Sequence, residues 1–237
     1  MSFNTAKIHG SVPATVAIVA MGRSSGTYLS LASTSGTRRR VADETWAINS
    51  MGGVIEHDLL FHMDDCKIQE ARAEKLPGEN IAGMMSWLQA HPKFMTSTPY
   101  DDYPGAVEYP LEEVINGIGG HIYLNGTVAY AVAYAIFIGV KKISMFGCDY
   151  TYSDLHKSES GRGCVEFLLG MASQLGIHIE IAQDSTLMDA NVPDSCKPYG
   201  YDAWNIEFKA TDNGCSVVKT PRDVLPTPEE IEKRYRH

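Results

Sequence analysis

The stretch 121–156 constrains the fold more than any other part of this chain. Residues 128–138, VAYAVAYAIFI, carry no charge, which predicts a helix that is buried on most of its surface and ends at Gly139. The run 143–146, ISMF, predicts a strand packed on both faces, and the polar loop 147–156 follows it. Helix, buried strand and polar loop in this order indicate half of a nucleotide-binding α/β unit.

The rest of the chain continues this alternation of strands and helices. Strands are predicted at 16–21, 45–50, 57–63, 93–97, 143–146 and 177–182, and helices at 68–74, 81–91, 111–115, 128–138 and 161–175. The polar stretch that ends at Arg40 separates the first two strands. Alternating elements predict an α/β domain with a mostly parallel, doubly wound sheet.

The C-terminal part has a different character. Residues 194–218 contain turn signals and short β-prone runs, which predict a hairpin or lid extension, and 229–237 predict a charged terminal helix. We therefore expect a single nucleotide-binding domain over 1–193, with an extension over 194–237 packed on the same domain.

Composition narrows the class of protein. The 237 residues have 44% hydrophobic content and a net charge of −9, which argues against a broad nucleic-acid-binding face but not against a local basic cleft. The only dense basic run, Arg38–Arg40, indicates either a solvated turn or a phosphate clamp. Five widely spaced cysteines and no signal peptide or membrane-length segment predict reduced thiols in a cytoplasmic protein. Trp46 and Trp87 are expected in the core.

Two loops carry candidate phosphate- or nucleotide-binding residues. Gly22, Arg23, Ser24 and Ser25 follow the first strand and offer backbone N–H groups, hydroxyls and a guanidinium to a phosphate, although the pattern is neither G-x-G-x-x-G nor a P-loop. The apolar helix begins at Asn125, Gly126 and Thr127. A side-chain oxygen of this turn can cap the helix, and the glycine permits close approach of a ligand to the backbone.

Carboxylates follow two of the predicted strands. Asp64 and Asp65 end the third strand, where they can hold a divalent cation or cap the next helix. Asp149 follows the buried strand directly, and the loop from there to His156 is expected at the edge of the sheet that carries the chemistry.

These residues carry a resemblance to a known group of proteins. The segments are VAIVAMGRSSG, ETWAINS, HDLLFHMDD, NGTVAYAVAYAIFIGVKKISMFGCDY and HKSESGRGCVEFLLGMASQLGI. They resemble the Rossmann-like superfamily of 6-hydroxymethylpterin pyrophosphokinases, flagellar motility accessory proteins and bacterial CMP-sialic-acid-dependent sialyltransferases, which also includes uncharacterised phage proteins. The resemblance covers roughly residues 14–190 and implies a Rossmann-like fold.

The sialyltransferase branch implies specific roles. Gly22, Ser24 and Ser25 stand where that branch has a nucleotide-binding G-N-G-P-S loop, without its Asn and Pro. Donor contacts are implied for Asn49 and for the turn Asn125–Thr127. His156 is the implied general base, which takes the proton of a sugar-acceptor hydroxyl, and Asp149 belongs to the same catalytic loop. Tyr150 and Tyr152 are the implied partners of the leaving phosphate.

Two other functions stay open at this point. The pyrophosphokinase branch implies Mg²⁺ held on a nucleoside triphosphate by Asp64 and Asp65, with Asp149 as a further ligand. A nucleotide-binding protein without activity is the second alternative, because a fold does not establish chemistry. If the protein is a glycosyltransferase, the expected donor is a nucleotide sugar, and the expected acceptor is a glycan or a modified DNA base. A DNA acceptor would bind in a groove lined by Arg23 and Arg38–Arg40.

Overall fold

The computed structural model describes residues 5–212 and 214–235. These residues form two compact units, and the chain passes from the first to the second between Met188 and Asp189. The division predicted between 193 and 194 lies a few residues further along the chain.

The first unit alternates strands and helices from its start. Its strands are β1 (Thr15–Val19), β2 (Glu44–Ile48), β3 (Leu59–Phe61), β4 (Phe94–Thr96), β5 (Ala106–Glu108), β6 (Lys142–Phe146) and β7 (His178–Ile181). Its α-helices are α1 (Ala6–His9), α2 (Ser25–Ser35), α3 (Cys66–Lys75), α4 (Ile81–Gln89), α5 (Leu111–Gly117), α6 (Thr127–Ile138) and α7 (Leu155–Gln174). Short 3-10 helices lie between them, two of them at Arg38–Arg40 and Asn49–Gly53.

The seven strands form one sheet in the order β5-β4-β3-β2-β1-β6-β7, and every pair is parallel. This confirms the predicted doubly wound sheet. Strand order reverses between β1 and β6, so the loops that follow these two strands meet at the carboxyl edge. In open parallel sheets, such a reversal is the usual place for a ligand.

Alternation along the central strands supplies both faces of the sheet. Ala17 and Val19 pack on one face with Tyr28 of α2 and Leu88 of α4. Ile18 points to the opposite face, where the buried residues include most of α6 and the inner side of α7. Because α6 has no charged residue and is covered by the sheet, α5 and α7, the predicted buried helix is confirmed.

Three elements differ from the sequence-based prediction. The polar stretch after β1 forms α2, whose only buried side chain is Tyr28, so its apolar pattern is too weak to recognise. The edge strand β5 is three residues long and was not predicted. Helix α7 begins at Leu155 rather than 161, because the Asp154 carboxylate accepts a hydrogen bond from the Lys157 N–H and caps it.

The second unit contains a two-stranded antiparallel hairpin and a terminal helix. The hairpin pairs β8 (Trp204–Thr211) with β9 (Gly214–Pro221), which confirms the predicted hairpin, and α8 (Pro228–Tyr235) follows. Most hairpin side chains are exposed, and Ile206 is buried. The terminal helix was predicted over 229–237, and the last two of these residues, 236 and 237, lie outside the described residues.

The cysteines differ between the two units. Cys66, Cys148 and Cys164 are buried in the first unit, whereas Cys196 and Cys215 are exposed in the second, and all five are free thiols. Burial raises the pKa of the Cys66 thiol to about 11 and also raises the pKa of Cys148 and Cys164. In the described part of the chain, no helix combines the length and the apolar character needed to cross a bilayer.

Replacing Gly147 by Ala is expected to destabilise the first unit. The added Cβ would lie 2.0 Å from the carbonyl oxygen of Ala20, and the φ of +67° disfavours any other residue. We expect the free energy of unfolding to fall by about 2 to 4 kcal/mol, measured by urea denaturation. Gly26→Ala is the control, because its Cβ meets no atom within 4 Å. Equal unfolding midpoints for the two variants would contradict this packing.

Candidate functional site

The carboxyl edge of the sheet contains a cavity of about 540 Å³ beside the ends of β2 and β3. It is lined by Asn49, Ser50, Gly53, His62, Asp64, Gln69, Arg72, Glu79, Asn80, Ile81, Gly83, Met84, Trp87 and Lys157. We refer to it as the carboxyl-edge cavity. Its lining mixes cations, anions, amides and an aromatic ring, which suits a polar ligand with a flat or apolar part.

Two residues of this cavity wall, Asn49 and His62, each contain one polar atom that is buried without a partner among the described residues. Ile48 and Phe61 are paired in the sheet, so the residues that follow them, Asn49 and His62, lie side by side. Among the described residues, neither Asn49 Oδ1 nor His62 Nε2 has a hydrogen-bond partner, and His62 is only 2% exposed. Burial lowers the pKa of His62 more than the nearby Asp64 charge raises it, so the imidazole is neutral at neutral pH.

The two adjacent aspartates that were predicted to hold a metal face different places. Asp64 is exposed and lines the carboxyl-edge cavity. Asp65 caps α3, where its carboxylate accepts hydrogen bonds from the N–H groups of Lys67 and Ile68 and from the Tyr100 hydroxyl. These bonds, above all the one from Ile68, hold the pKa of Asp65 below its usual value. Of the two roles that the sequence allowed for Asp65, cation ligand and helix cap, it has the second in this structure.

A paired metal site does not fit this arrangement. The described residues contain no cluster of three or more His, Cys, Asp or Glu side chains that could hold an ion. Mg²⁺ binds preferentially through several oxygen ligands, and Asp65 has committed its oxygens to the helix cap and Tyr100.

Asp149 ties the loop after β6 to the loop after β1. Its carboxylate is 3% exposed and accepts hydrogen bonds from the Ser24 N–H at 2.8 Å, the Ser24 hydroxyl at 2.5 Å and the Ser185 hydroxyl at 2.6 Å. The Ser24 hydroxyl also accepts a bond from the Gly147 N–H, and the Gly22 N–H donates to the Gly147 carbonyl. We call this set the loop latch. It fills the crevice at the point where strand order reverses.

The loop latch changes the expectation for the glycine-rich loop. The N–H groups of Gly22 and Ser24 are used in the latch, and the Ser25 N–H donates to the Gly22 carbonyl. These donors do not form the phosphate cradle expected from the sequence, since each is already paired. Arg23 is exposed, and its guanidinium and the partly buried Ser25 side chain are the parts of the loop that face outward.

The turn before α6 lies at the same edge, because α6 runs antiparallel to the strand that it precedes. Gly126 occupies the N-cap position of α6, and no side chain caps the helix, contrary to the expected role of Asn125 and Thr127. The Asn125 amide instead donates to the Ser160 carbonyl of α7 at 3.3 Å. This bond joins the starts of α6 and α7.

The predicted catalytic histidine lies in the first turn of α7. His156 is exposed, and the following residue, Lys157, lines the carboxyl-edge cavity. Lys157 Nζ lies 4.9 Å from the centre of the Tyr152 ring, whose side chain is also exposed. Tyr150 instead packs against Gly161, and burial raises its pKa strongly. Tyr152 and Lys157 therefore lie together, with Lys157 at the cavity, and His156 is exposed beside Lys157 in the same helical turn.

Several cavity residues were not predicted from the sequence. No role was predicted for His62, Gln69, Arg72 or Lys157, and Trp87 was expected in the core although it is only partly buried and faces the cavity. One sequence signal was available for His62. It directly follows a predicted strand, and the carboxyl ends of parallel strands are the usual place for a ligand. The cavity residues that lie on helices could not be predicted, because the sequence does not show which helices face the cavity.

The basic run and Arg23 lie at opposite edges of the sheet. Arg38 and Arg39 precede β2 and both form ion pairs with Asp58 at the amino edge. Arg23 follows β1 at the carboxyl edge. These residues therefore do not line one groove, as the modified-DNA acceptor hypothesis had assumed.

The comparisons with known proteins give a limited result. No protein-family model and no curated protein matches the sequence. The structure is similar to the sialyltransferase CstII from Campylobacter jejuni in complex with cytidine-5'-monophosphate, with 17% identity and a TM-score of 0.42. A complex of the same enzyme with CMP-3FNeuAc gives 16% identity and a TM-score of 0.43. Each comparison covers 93% of this chain and 98% of the other.

Asp149→Asn is expected to lower the free energy of unfolding by about 2 to 3 kcal/mol, because an amide N–H₂ would face a buried donor of the loop latch. Urea denaturation measures this loss. Asp64→Asn is the matched control, since its exposed carboxylate is expected to contribute less than about 0.5 kcal/mol. Wild-type stability combined with lost turnover in Asp149→Asn would show that Asp149 reacts with substrate rather than holding the loops.

Proposed function

We propose that this protein binds a nucleotide sugar at the carboxyl edge of its sheet and transfers the sugar to an acceptor hydroxyl. The observation that carries the proposal concerns two residues that line a cavity large enough for a nucleotide, Asn49 and His62. Each has a buried polar atom, Asn49 Oδ1 and His62 Nε2, without a partner among the described residues. A buried polar atom without a partner costs free energy, and a ligand that supplies the partner recovers it. Such atoms are therefore typical of binding sites.

The proposed roles follow from position. Asn49 and His62 contact hydroxyl or amide groups of the donor. The cavity wall has two cations, Lys157 and Arg72, and two anions, Asp64 and Glu79. Arg72 is paired with Glu79 at 3.8 Å, so Lys157 is the proposed contact of an anionic ligand. Tyr152, whose ring contacts the Lys157 ammonium, lies where its hydroxyl can donate to the phosphate.

His156 is the proposed general base. Its imidazole accepts the proton of the acceptor hydroxyl while that oxygen bonds to the anomeric carbon of the sugar. The bond between the anomeric carbon and the phosphate oxygen breaks, and the nucleotide leaves with the electron pair. Lys157 stabilises the charge that develops on the phosphate. In this proposal Asp149 holds the loop and takes no part in proton transfer.

A panel of nucleotides and nucleotide sugars, with and without Mg²⁺, tests the site by thermal shift. We expect at least one compound to raise the melting temperature by about 2 °C or more, with equal effect in a chelator. A strict need for Mg²⁺ would favour pyrophosphokinase-like chemistry at Asp64 instead. If no compound raises the melting temperature, the proposal of a nucleotide site is wrong.

His62→Leu separates binding from stability. We expect the dissociation constant of the best compound to rise about tenfold or more by calorimetry, because the ligand loses a buried hydrogen bond. Stability is expected to stay unchanged or rise, since the variant removes an unpartnered buried polar group. His178→Leu, an exposed histidine at the amino edge, is the matched control. Equal binding by both variants would contradict the role of His62.

His156→Ala is expected to reduce turnover without affecting donor binding. With water as acceptor, release of sugar from the bound nucleotide sugar is expected to slow about 100-fold, because the base is lost. Product release followed by chromatography measures the rate, and His178→Ala serves as the control. Donor binding by the wild type without any turnover would support the non-catalytic alternative.

A further inference from the structure

A pair of histidines lies behind the wall of the carboxyl-edge cavity. His57 Nε2 and His91 Nε2 are 2.9 Å apart, and the rings lie within 11° of parallel with centroids 5.0 Å apart. This geometry places one N–H···N hydrogen bond between the two imidazoles. His57 lies before β3 and His91 follows α4, so the bond joins the sheet to the helix.

The neighbouring backbone groups fix the direction of this bond. The Lys93 N–H donates to His91 Nδ1 at 3.3 Å, which leaves the proton of neutral His91 on Nε2. His57 Nε2 then accepts, and His57 Nδ1 donates its own proton to the Ile55 carbonyl at 2.9 Å. All four ring nitrogens are used. A further proton on either ring would face another N–H donor.

The surroundings add little to stabilise such a proton. The charged side chains around the pair, in a second cavity of about 520 Å³, are Arg38, Glu56, Asp58 and Lys93. Asp58 is already paired with Arg38 and Arg39, and Glu56 is 93% exposed. Burial and the neighbouring His57 together lower the pKa of His91 to about 4.

The pair is in contact with the ligand cavity through an aromatic ring. The Trp87 ring centroid lies 4.9 Å from that of His91, and Trp87 lines the carboxyl-edge cavity. Gly52 completes the contact, because a Cβ there would lie 2.8 Å from Trp87 Cη2 and 3.4 Å from His57 Cε1. Movement of His91 therefore changes the packing of Trp87, because the two rings are in contact.

We propose that the His57–His91 hydrogen bond positions Trp87 as a wall of the carboxyl-edge cavity, and that protonation of the pair in acid displaces Trp87 and weakens ligand binding. Both histidines are thus positioning residues. The binding part of this inference rests on the proposed function. The displacement of Trp87 does not, because it concerns contacts within the free protein.

Fluorine NMR of protein labelled with 5-fluorotryptophan tests the displacement without a ligand. We expect the Trp87 resonance, assigned with Trp87→Phe, to shift between pH 7.5 and 4.5 in the wild type. In His91→Gln the shift should disappear, since Gln keeps a donor toward His57, does not titrate and can turn its carbonyl toward protonated His57. His178→Gln is the control and should retain the shift. A Trp87 titration that stays as in the wild type in both His91→Gln and His57→Gln would overturn the proposal.

Calorimetry with cytidine monophosphate tests the effect on binding. We expect affinity to fall about twofold more between pH 7.5 and 4 in the wild type than in His91→Gln, because about half of His91 is protonated at the lower pH. Titration of the nucleotide is common to both proteins, so the difference isolates the histidine pair. Equal pH dependence would overturn the coupling. If the nucleotide binds neither protein at either pH, the proposed function fails, while the Trp87 titration still decides the positioning role.

Discussion

The hydrogen bonds between Asp149 and Ser24 hold together the two loops around which the carboxyl edge is arranged. β1 and β6 are neighbours in the sheet although most of the first unit separates them in sequence. One carboxylate satisfies a backbone N–H and two hydroxyls, and Gly22 and Gly147 permit the loops to approach closely. Strand order alone would leave an open crevice here. The latch closes it and leaves the space beside β2 and β3 for a ligand.

The sequence predicted the sheet well because buried strands and the uncharged helix α6 have strong local patterns. It failed for two elements with weak local patterns. The polar helix α2 buries one side chain, and β5 is a short edge strand, so contacts distant in sequence define both. The start of α7 was missed for another reason, because the cap between Asp154 and Lys157 is local but was not recognised.

The candidate site was predicted in part for a related reason. Asp64 and Asp149 were recognised because they follow strands and parallel strands bring their ends together, whereas Asn49 was implied by the resemblance alone. The sequence could not show which polar groups remain available after folding. Ser24 and Asp65 have the chemistry of a binding residue but are committed to the latch and to a helix cap. His62 was given no role from the sequence, and its importance comes from its unpartnered nitrogen.

The distribution of cysteines gives the protein a natural scheme for chemical labelling. Thiolate is the form that reacts with maleimides, and the three thiols of the first unit are both covered and resistant to ionisation. Cys196 and Cys215 are accessible. In the folded protein, a fluorophore or spin label will therefore attach to the second unit without any change of sequence. Reaction of the remaining thiols will then report the opening of the first unit.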